Sequence, residues 1–370
     1  MQHVCKVHLI AGTRPNVMKI APLYKVLKTQ KWCLPKVVFL EQHASAHMGA
    51  GIFEEFGVDG ITKLQLTDGD FGLRLGSIVS SYTSELQRDA PDLVVVPGDV
   101  DVSLGAALAA KRALRPVAHL EAGLRSTDRR MPEELNRVLI DSISDILLAP
   151  SEAAAENLIF GEGQPREKVH FVGNIMIDAL VSVLSKERAD AQLKRFGVSP
   201  KGFAIATFHR PSNVDDPQSL DKIVELIIEL SASRPLIFPV HPRTRARMTA
   251  AQVERLHASE RVILSEPLAY PEFVNLLREA EFVVTDSGGI QEETSYVGTP
   301  CLTLRETTER PVTTILGTNV LVSFDDVVEH SRAAAIRGWP SQNIPLWDGF
   351  TALRCAHVLS TWWRSAGLKP

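Results

Sequence analysis

The segment FVVTDSGGIQEETSYVGTPCLTL, residues 282–304, decides the fold class. A β-branched run closes on Asp286, two glycines follow, and a helical stretch leads to a second apolar run at 301–304. Strand, glycine-opened helix and strand in that order make one βαβ unit of a parallel sheet. Glycines at a helix start leave backbone N–H groups free to meet an anion. Two adjacent carboxylates, Glu292 and Glu293, stand close by, an awkward neighbourhood for a phosphate.

The same alternation runs outward in both directions. Strands are predicted over 4–10, 36–40, 92–96, 116–120 and 146–150, and again over 203–208, 235–240, 261–265, 282–286 and 301–304. Amphipathic segments such as RPNVMKIAPLYKVLKTQ (14–30) and LGAALAAKRAL (104–114) lie between them. Strands this continuously apolar imply sheets covered on both faces. The theme restarts after FVGNIMIDALVSVL (171–184), so a first domain is expected over 1–175 and a second over 176–349. The last helix, within 350–370, follows GWPSQNIPLWDG (338–349) and is expected to pack back on the first domain. The fold class is thus α/β: two Rossmann-like domains with parallel sheets and an interdomain cleft. Ligands in such sheets bind beyond the carboxyl ends of the strands.

Composition narrows the function. A 370-residue chain with 45% hydrophobic residues can bury the cores of two domains. A net charge of -4 offers no basic footprint for nucleic acid. The four cysteines are scattered, with no CxxC pair and no zinc spacing, and read as free buried thiols. The first residues, MQHVCKVHLIAG, interrupt a short apolar run with polar groups and read as a strand, not a signal peptide. No run of about 18 apolar residues suggests a membrane span. The expectation is a soluble, cytoplasmic protein with no membrane partner.

Five loops carry candidate chemistry. In IAGTRPNVMKIAPL (10–23) Gly12 turns the chain, Pro15 suits a first helical turn, and Arg14 and Lys19 flank the helix start. Neither GxGxxG nor a Walker motif is present, which argues against a dinucleotide fold or a P-loop. In VVVPGDVDVSLGAALAA (94–110) Asp99 follows a buried strand, while Asp101, nearer the helical run, is the expected cap. In HLEAGLRSTDRRMPEELNRVLID (119–141) Glu121 lies beyond a strand end, and Pro132 opens a helix with Glu133 and Glu134 in its first turn. Adjacent acids on a helix point about 100° apart, so one can serve a site while the other is structural. Glu121 and Glu133 are the candidate acid/base partners. In ATFHRPSNVDD (206–216) His209 is placed to bind or protonate a leaving phosphate. FPVHPRTRARM (238–248) repeats that arrangement with His241, Arg243 and Arg245. In the opening segment Ser287, Gly288 and Gly289 can turn N–H groups toward a diphosphate. Glu293, six residues after Ser287, can then reach a sugar hydroxyl pair, as an acidic residue does in dinucleotide folds.

Together GTRPNVMKIAPL, HLEAGLRS, MPEELNR, TFHRPSN, PVHPRTR, DSGGIQEET and LRETTERP resemble the non-hydrolysing UDP-N-acetylglucosamine 2-epimerases, in order from about residue 9 to 322. The resemblance implies a GT-B-like fold and inversion at C2 of the sugar to give UDP-N-acetylmannosamine or a related UDP-2-acetamido sugar. The implied route is anti elimination of UDP to a 2-acetamidoglucal and re-addition, with no metal or redox cofactor. It also implies a cytoplasmic homodimer whose partner is a UDP-sugar. Carried over by motif, Asp99, Glu121 and Glu133 are the catalytic carboxylates, and His209 stands near the leaving group. Arg14 and Lys19 lie near the diphosphate, Ser287, Gly288 and Gly289 hold phosphate, Glu293 holds ribose, Phe273 stacks on uracil, and Arg310 is a further ligand. Better-known members read GDTTTT where this chain has GDVDVS (98–103), and Glu where Asn16 stands. EQHASAHMG (41–49) replaces a QHR-type sequence that carries an allosteric UDP-N-acetylglucosamine site; Gln42 and His43 remain without the arginine. Alternative readings are a hydrolysing relative releasing free N-acetylmannosamine and UDP, a glycosyltransferase on the same scaffold, and a binding module without catalysis.

Overall fold

A computed structural model describes residues 4–41, 51, 53–337 and 343–366. They divide into two compact units, 1–179 with 345–370, and 180–344. The first unit contains β1 (Cys5–Ala11), β2 (Cys33–Glu41), β3 (Thr62–Gln65), β4 (Leu93–Pro97), β5 (Val117–Leu120), β6 (Ile146–Ala149) and β7 (Val169–Phe171). They form one parallel sheet in the order β3-β2-β1-β4-β5-β6-β7. The second unit contains β8 (Ala204–Thr207), β9 (Leu236–Pro239), β10 (Val262–Ser265), β11 (Phe282–Thr285), β12 (Cys301–Leu304) and β13 (Asn319–Val322). These form a second parallel sheet in the order β10-β9-β8-β11-β12-β13. The architecture is α/β with two Rossmann-like sheets.

Local chemistry explains the elements. Every residue of β4, β5, β6, β11 and β12 is buried, as a sheet covered on both faces requires. Many of the helices between them start on side-chain caps, Asp70, Ser151, Ser185, Asp216 and Thr249, or on a proline in the first turn. Both sheets reverse direction of growth once: between β1 and β4, and between β8 and β11. All ten predicted strands are present. β3, β7 and β13 were not predicted, and each is a short outermost strand with partly exposed residues. No described helix is long and apolar enough to cross a membrane.

The helix Thr351–Ala366 belongs to the first unit and packs on the helix Arg14–Lys28. The buried Asp178 carboxylate accepts from Thr351 N at 3.1 Å and Ala352 N at 2.7 Å, capping that helix from outside its own chain segment. Trp347 Nε1 donates to Pro150 O at 3.3 Å, and Arg354 Nε to Val172 O at 2.6 Å. Asp178→Ala leaves two first-turn N–H groups unsatisfied and is expected to lower stability by about 1–2 kcal/mol. Urea denaturation checks this, and an unchanged midpoint rules the cap out.

Candidate active site

In the first unit the loops leaving β1, β4 and β5 at the reversal hold most of the predicted residues. Lys19, on the helix after β1, forms a buried ion pair with Glu121, directly after β5. Gly98 lies against this pair with φ +63°, and a Cβ there would stand 2.6 Å from Lys19 Nζ. Glu121 itself has φ +77°, a left-handed conformation that costs a non-glycine residue about 1–3 kcal/mol. Its N–H and that of Ala122 both donate to Leu148 O at 3.1 Å, fixing the turn.

Asp99 pairs with Arg137, whose Nη1 is 3.0 Å from Glu134 Oε2. Glu134 is buried and accepts from the N–H groups of Ser126 at 2.9 Å and Thr127 at 3.0 Å. Asn136 Nδ2 donates to Asp99 O at 2.9 Å and to Asp101 Oδ1 at 3.1 Å. Of the two adjacent acids, Glu134 is therefore the structural one and Glu133 is exposed. Arg14 is exposed, 3.5 Å from Glu55. The capping role expected of Asp101 is corrected. The helix begins at Asp101 with Val100 as its N-cap and no side-chain cap, because the Asp101 carboxylate pairs with Arg74 at 2.8 Å and with Asn136.

The second unit gathers its residues where β8 and β11 part. Asp286, fully buried, accepts from His209 N at 3.1 Å, Arg210 N at 2.9 Å and Asn213 Nδ2 at 3.1 Å, and lies 3.0 Å from His209 Nδ1. Burial pushes this carboxyl up, but the His209 hydrogen bond and charge, with Arg210 N and Asn213, outweigh it and hold it below the usual range. The half-exposed His209 ring lies 5.2 Å from that of His241. Both border a cavity of about 240 Å³ whose apolar walls come from Pro239, Pro267, Leu268, Phe273 and Ile290, with Thr207 and Ser287 also on its lining.

Ser287 is the N-cap of the helix Gly288–Val297, and its own side chain makes no cap bond. A Cβ on Gly288 would stand 2.6 Å from Arg310 Nη1, so the guanidinium packs directly on the helix start. Arg310 pairs with Glu309 at 2.6 Å and with Glu292 at 2.8 Å. Arg305 and Arg210 approach Glu309 at 2.9 Å and 3.5 Å. Burial pushes Glu309 up, yet the Arg310 and Arg305 charges outweigh it and bring the carboxyl down to about 2. Glu293 is the opposite case. Burial and the Glu292 charge push it up to about 7 against the opposing pull of Tyr270 and Arg310. The pair of glutamates beside the predicted anion site is thus one charge neutralised by arginine and one carboxyl that holds its proton far above the usual range.

The residues that sequence reasoning did not single out are the partners: Arg137, His119 and Asp141 in the first unit, Asp286, Tyr270 and Glu309 in the second. His119 was visible as a polar interruption in an apolar strand. Gln42 and His43 lie outside the described residues. His8, Glu85 and Asp89 approach one another within 4.8 Å, a spacing suited to a metal. Lys36 Nζ, however, sits 2.9 Å from Glu85 and 2.7 Å from Asp89 and balances both carboxylates. The cysteines are buried free thiols, with Cys301 pushed up to about 11 by burial, which disfavours thiolate chemistry.

Known proteins are similar to this chain over most of its length. A family model described as UDP-N-acetylglucosamine 2-epimerase matches residues 25–360. The chain belongs to the UDP-N-acetylglucosamine 2-epimerase family. A relative of that name from Methanocaldococcus jannaschii is 36% identical, over 96% of this chain and 99% of its own. Its crystal structure in complex with UDP-GlcNAc and UDP superposes with a TM-score of 0.85 at 34% identity, covering 96% of this chain and 99% of that one. A UDP-2,3-diacetamido-2,3-dideoxy-D-glucuronate 2-epimerase from Pseudomonas aeruginosa is 36% identical over 89% of this chain and 92% of its own. The fold is of the GT-B-like class of these epimerases.

Within the second unit's cluster, Glu293 has a signature of its own. An acid whose folded pKa is raised binds a proton on folding between its ordinary value and about 7, so stability falls as pH rises through that window. Glu293→Gln removes the effect. The variant is expected to be more stable than wild type at pH 8, by up to ~3 kcal/mol, with the difference shrinking toward pH 4.5. Thermal midpoints across pH measure this, and a pH-independent difference excludes Glu293 as the titrating group.

Proposed function

We propose that the protein inverts C2 of a UDP-2-acetamido sugar, taking UDP-N-acetylglucosamine to UDP-N-acetylmannosamine without hydrolysis. The observation that carries the reading is the pair of carboxylates at one sheet end, Glu121 and Asp99, each held against a cation, Lys19 and Arg137. The crystal complex of the Methanocaldococcus jannaschii relative with UDP-GlcNAc and UDP supports the substrate. The Pseudomonas aeruginosa relative supports a variant of it, a UDP-diacetamido uronate.

The roles follow from the chemistry. The C2 hydrogen is barely acidic, so departure of UDP must carry much of the barrier. Backbone N–H groups at Ser287, Gly288 and Gly289, with Arg14, Lys19, Arg310 and His209, stabilise the diphosphate as the C1–O bond breaks. A carboxylate among Asp99, Glu121 and Glu133 takes the C2 proton as the C1–C2 double bond of the glucal forms. Another returns a proton to the opposite face while the UDP oxygen re-forms its bond to C1. Phe273, on the cavity wall, stacks on uracil, and Glu293 meets the ribose hydroxyls. We assign the protein to the cytoplasm, as a homodimer. An exposed apolar stripe on the helix Pro132–Ile143, Leu135, Val138 and Leu139 at i, i+3, i+4 spacing, supports the second copy.

The test is incubation with UDP-N-acetylglucosamine in deuterium oxide, followed by proton NMR. Deuterium at C2 with the UDP linkage retained is the expected result. Free sugar and UDP indicate the hydrolase, and absence of exchange with every UDP-2-acetamido sugar removes the proposal. Glu121→Gln is expected to reduce C2 exchange by at least about 10²-fold while UDP binding is largely kept. Full exchange in that variant excludes Glu121 from the proton transfer.

A further inference from the structure

We propose that His119 and Asp141 are positioning residues for C2 proton transfer, a buried dyad that locks the Gly98–Asp99 turn to the Glu121–Gly123 turn. The inference rests on the epimerase reading above. His119 lies on β5 and is wholly buried, so it cannot touch substrate. Its Nε2 donates to Gly98 O at 2.8 Å, one residue before Asp99. Its Nδ1 donates to Asp141 Oδ1 at 2.6 Å. The other Asp141 oxygen accepts from Gly123 N at 3.1 Å and from Arg125 Nη2 at 2.7 Å.

The imidazole therefore spans the two turns that carry Asp99 and Glu121. Glu121 holds a left-handed backbone, φ +77°, between two glycines, Gly98 at +63° in the neighbouring turn and Gly123 at +84°, which take such angles freely. The strain at Glu121 persists only where its surroundings over-determine it. A hydrogen-bonded imidazole–carboxylate pair supplies direction, which a leucine filling the same space in an apolar strand would not. Buried ionic groups are weak sources of stability, so their value here is register. Arg125, bound also to Glu162 at 2.6 Å, anchors the carboxylate end of the dyad.

Two variants separate the links. His119→Asn keeps a donor toward Asp141 but cannot reach Gly98 O, whereas His119→Gln extends its amide toward Gly98 O. For His119→Asn the expected result is a fall in kcat of about 10²-fold with KM and UDP affinity within about twofold. The isotope effect with C2-deuterated substrate is expected to rise, because C–H cleavage becomes slower relative to binding and release. The inflections of the pH profile stay in place, since the dyad exchanges no proton with substrate. His119→Gln is expected to recover at least about tenfold of the loss, and Asp141→Asn, which tests the dyad independently should His119→Asn fail to fold, to follow His119→Asn. Wild-type kcat in both His119→Asn and Asp141→Asn overturns the proposal. So does a loss of activity matched by lost UDP-binding capacity with an unchanged isotope effect, which marks a structural role alone. Absence of C2 exchange in wild type overturns the epimerase reading and the dyad with it; exchange in wild type undiminished in the variants overturns only the dyad.

Discussion

Parallel pairing forces each strand to return by a crossover, and a sheet that grows first one way and then the other must reverse once. At the reversal, neighbouring strands send their following segments to opposite faces, and their carboxyl ends are left uncovered. That constraint organises both units. The loops after β1, β4 and β5 hold Lys19, Asp99 and Glu121, and those after β8, β11 and β12 hold His209, Ser287 and Arg310. Motifs spread over some three hundred residues of sequence thus collapse into one cluster per unit.

Within each cluster charge is arranged in alternating layers. In the second unit, Arg210, Arg305 and Arg310 surround Glu309, and Arg310 also meets Glu292. The carboxylates hold the guanidinium groups in place while leaving the helix start at Gly288 flanked by cations. Removing one member of such a buried pair costs about 3–5 kcal/mol, far more than the pair adds to stability. Under the proposed function, such an arrangement suits an incoming diphosphate, because its cations need no reorganisation on binding. Lys19 and Glu121 repeat the device in the first unit, with a proton-transfer candidate as the anionic partner.

The interior of both sheets was legible because strands covered on two faces must be apolar throughout: Leu93–Pro97 and Phe282–Thr285 announce themselves. Of the described edge strands only Val262–Ser265 was predicted; Thr62–Gln65, for example, exposes alternate residues and reads as a polar loop. The candidate residues at strand ends, Glu121, His209 and Ser287, could be placed from the sequence by their position after apolar runs. Their partners could not, because pairing is set by the fold and not by spacing. Arg74 lies 27 residues before Asp101, and nothing local reveals that it turns that carboxylate away from a helix cap. Glu133 and Glu134 could be separated in principle by helix geometry, yet which one faces inward depended on the N–H groups of Ser126 and Thr127.

The place of Glu121 was legible in the sequence, but its backbone conformation was not. A glycine would adopt its left-handed backbone freely, and a sequence pattern would place one there. A glutamate at that position means that the chain accepts strain to aim a carboxylate where a continuing strand would not point it. The strain is held because Leu148 O receives two N–H groups from the turn and Lys19 binds the carboxylate. Gly98 completes the arrangement from the neighbouring loop: any side chain there would strike the Lys19 ammonium. One loop gives up its side chain so that the other can hold a charged one in a conformation it would not choose alone.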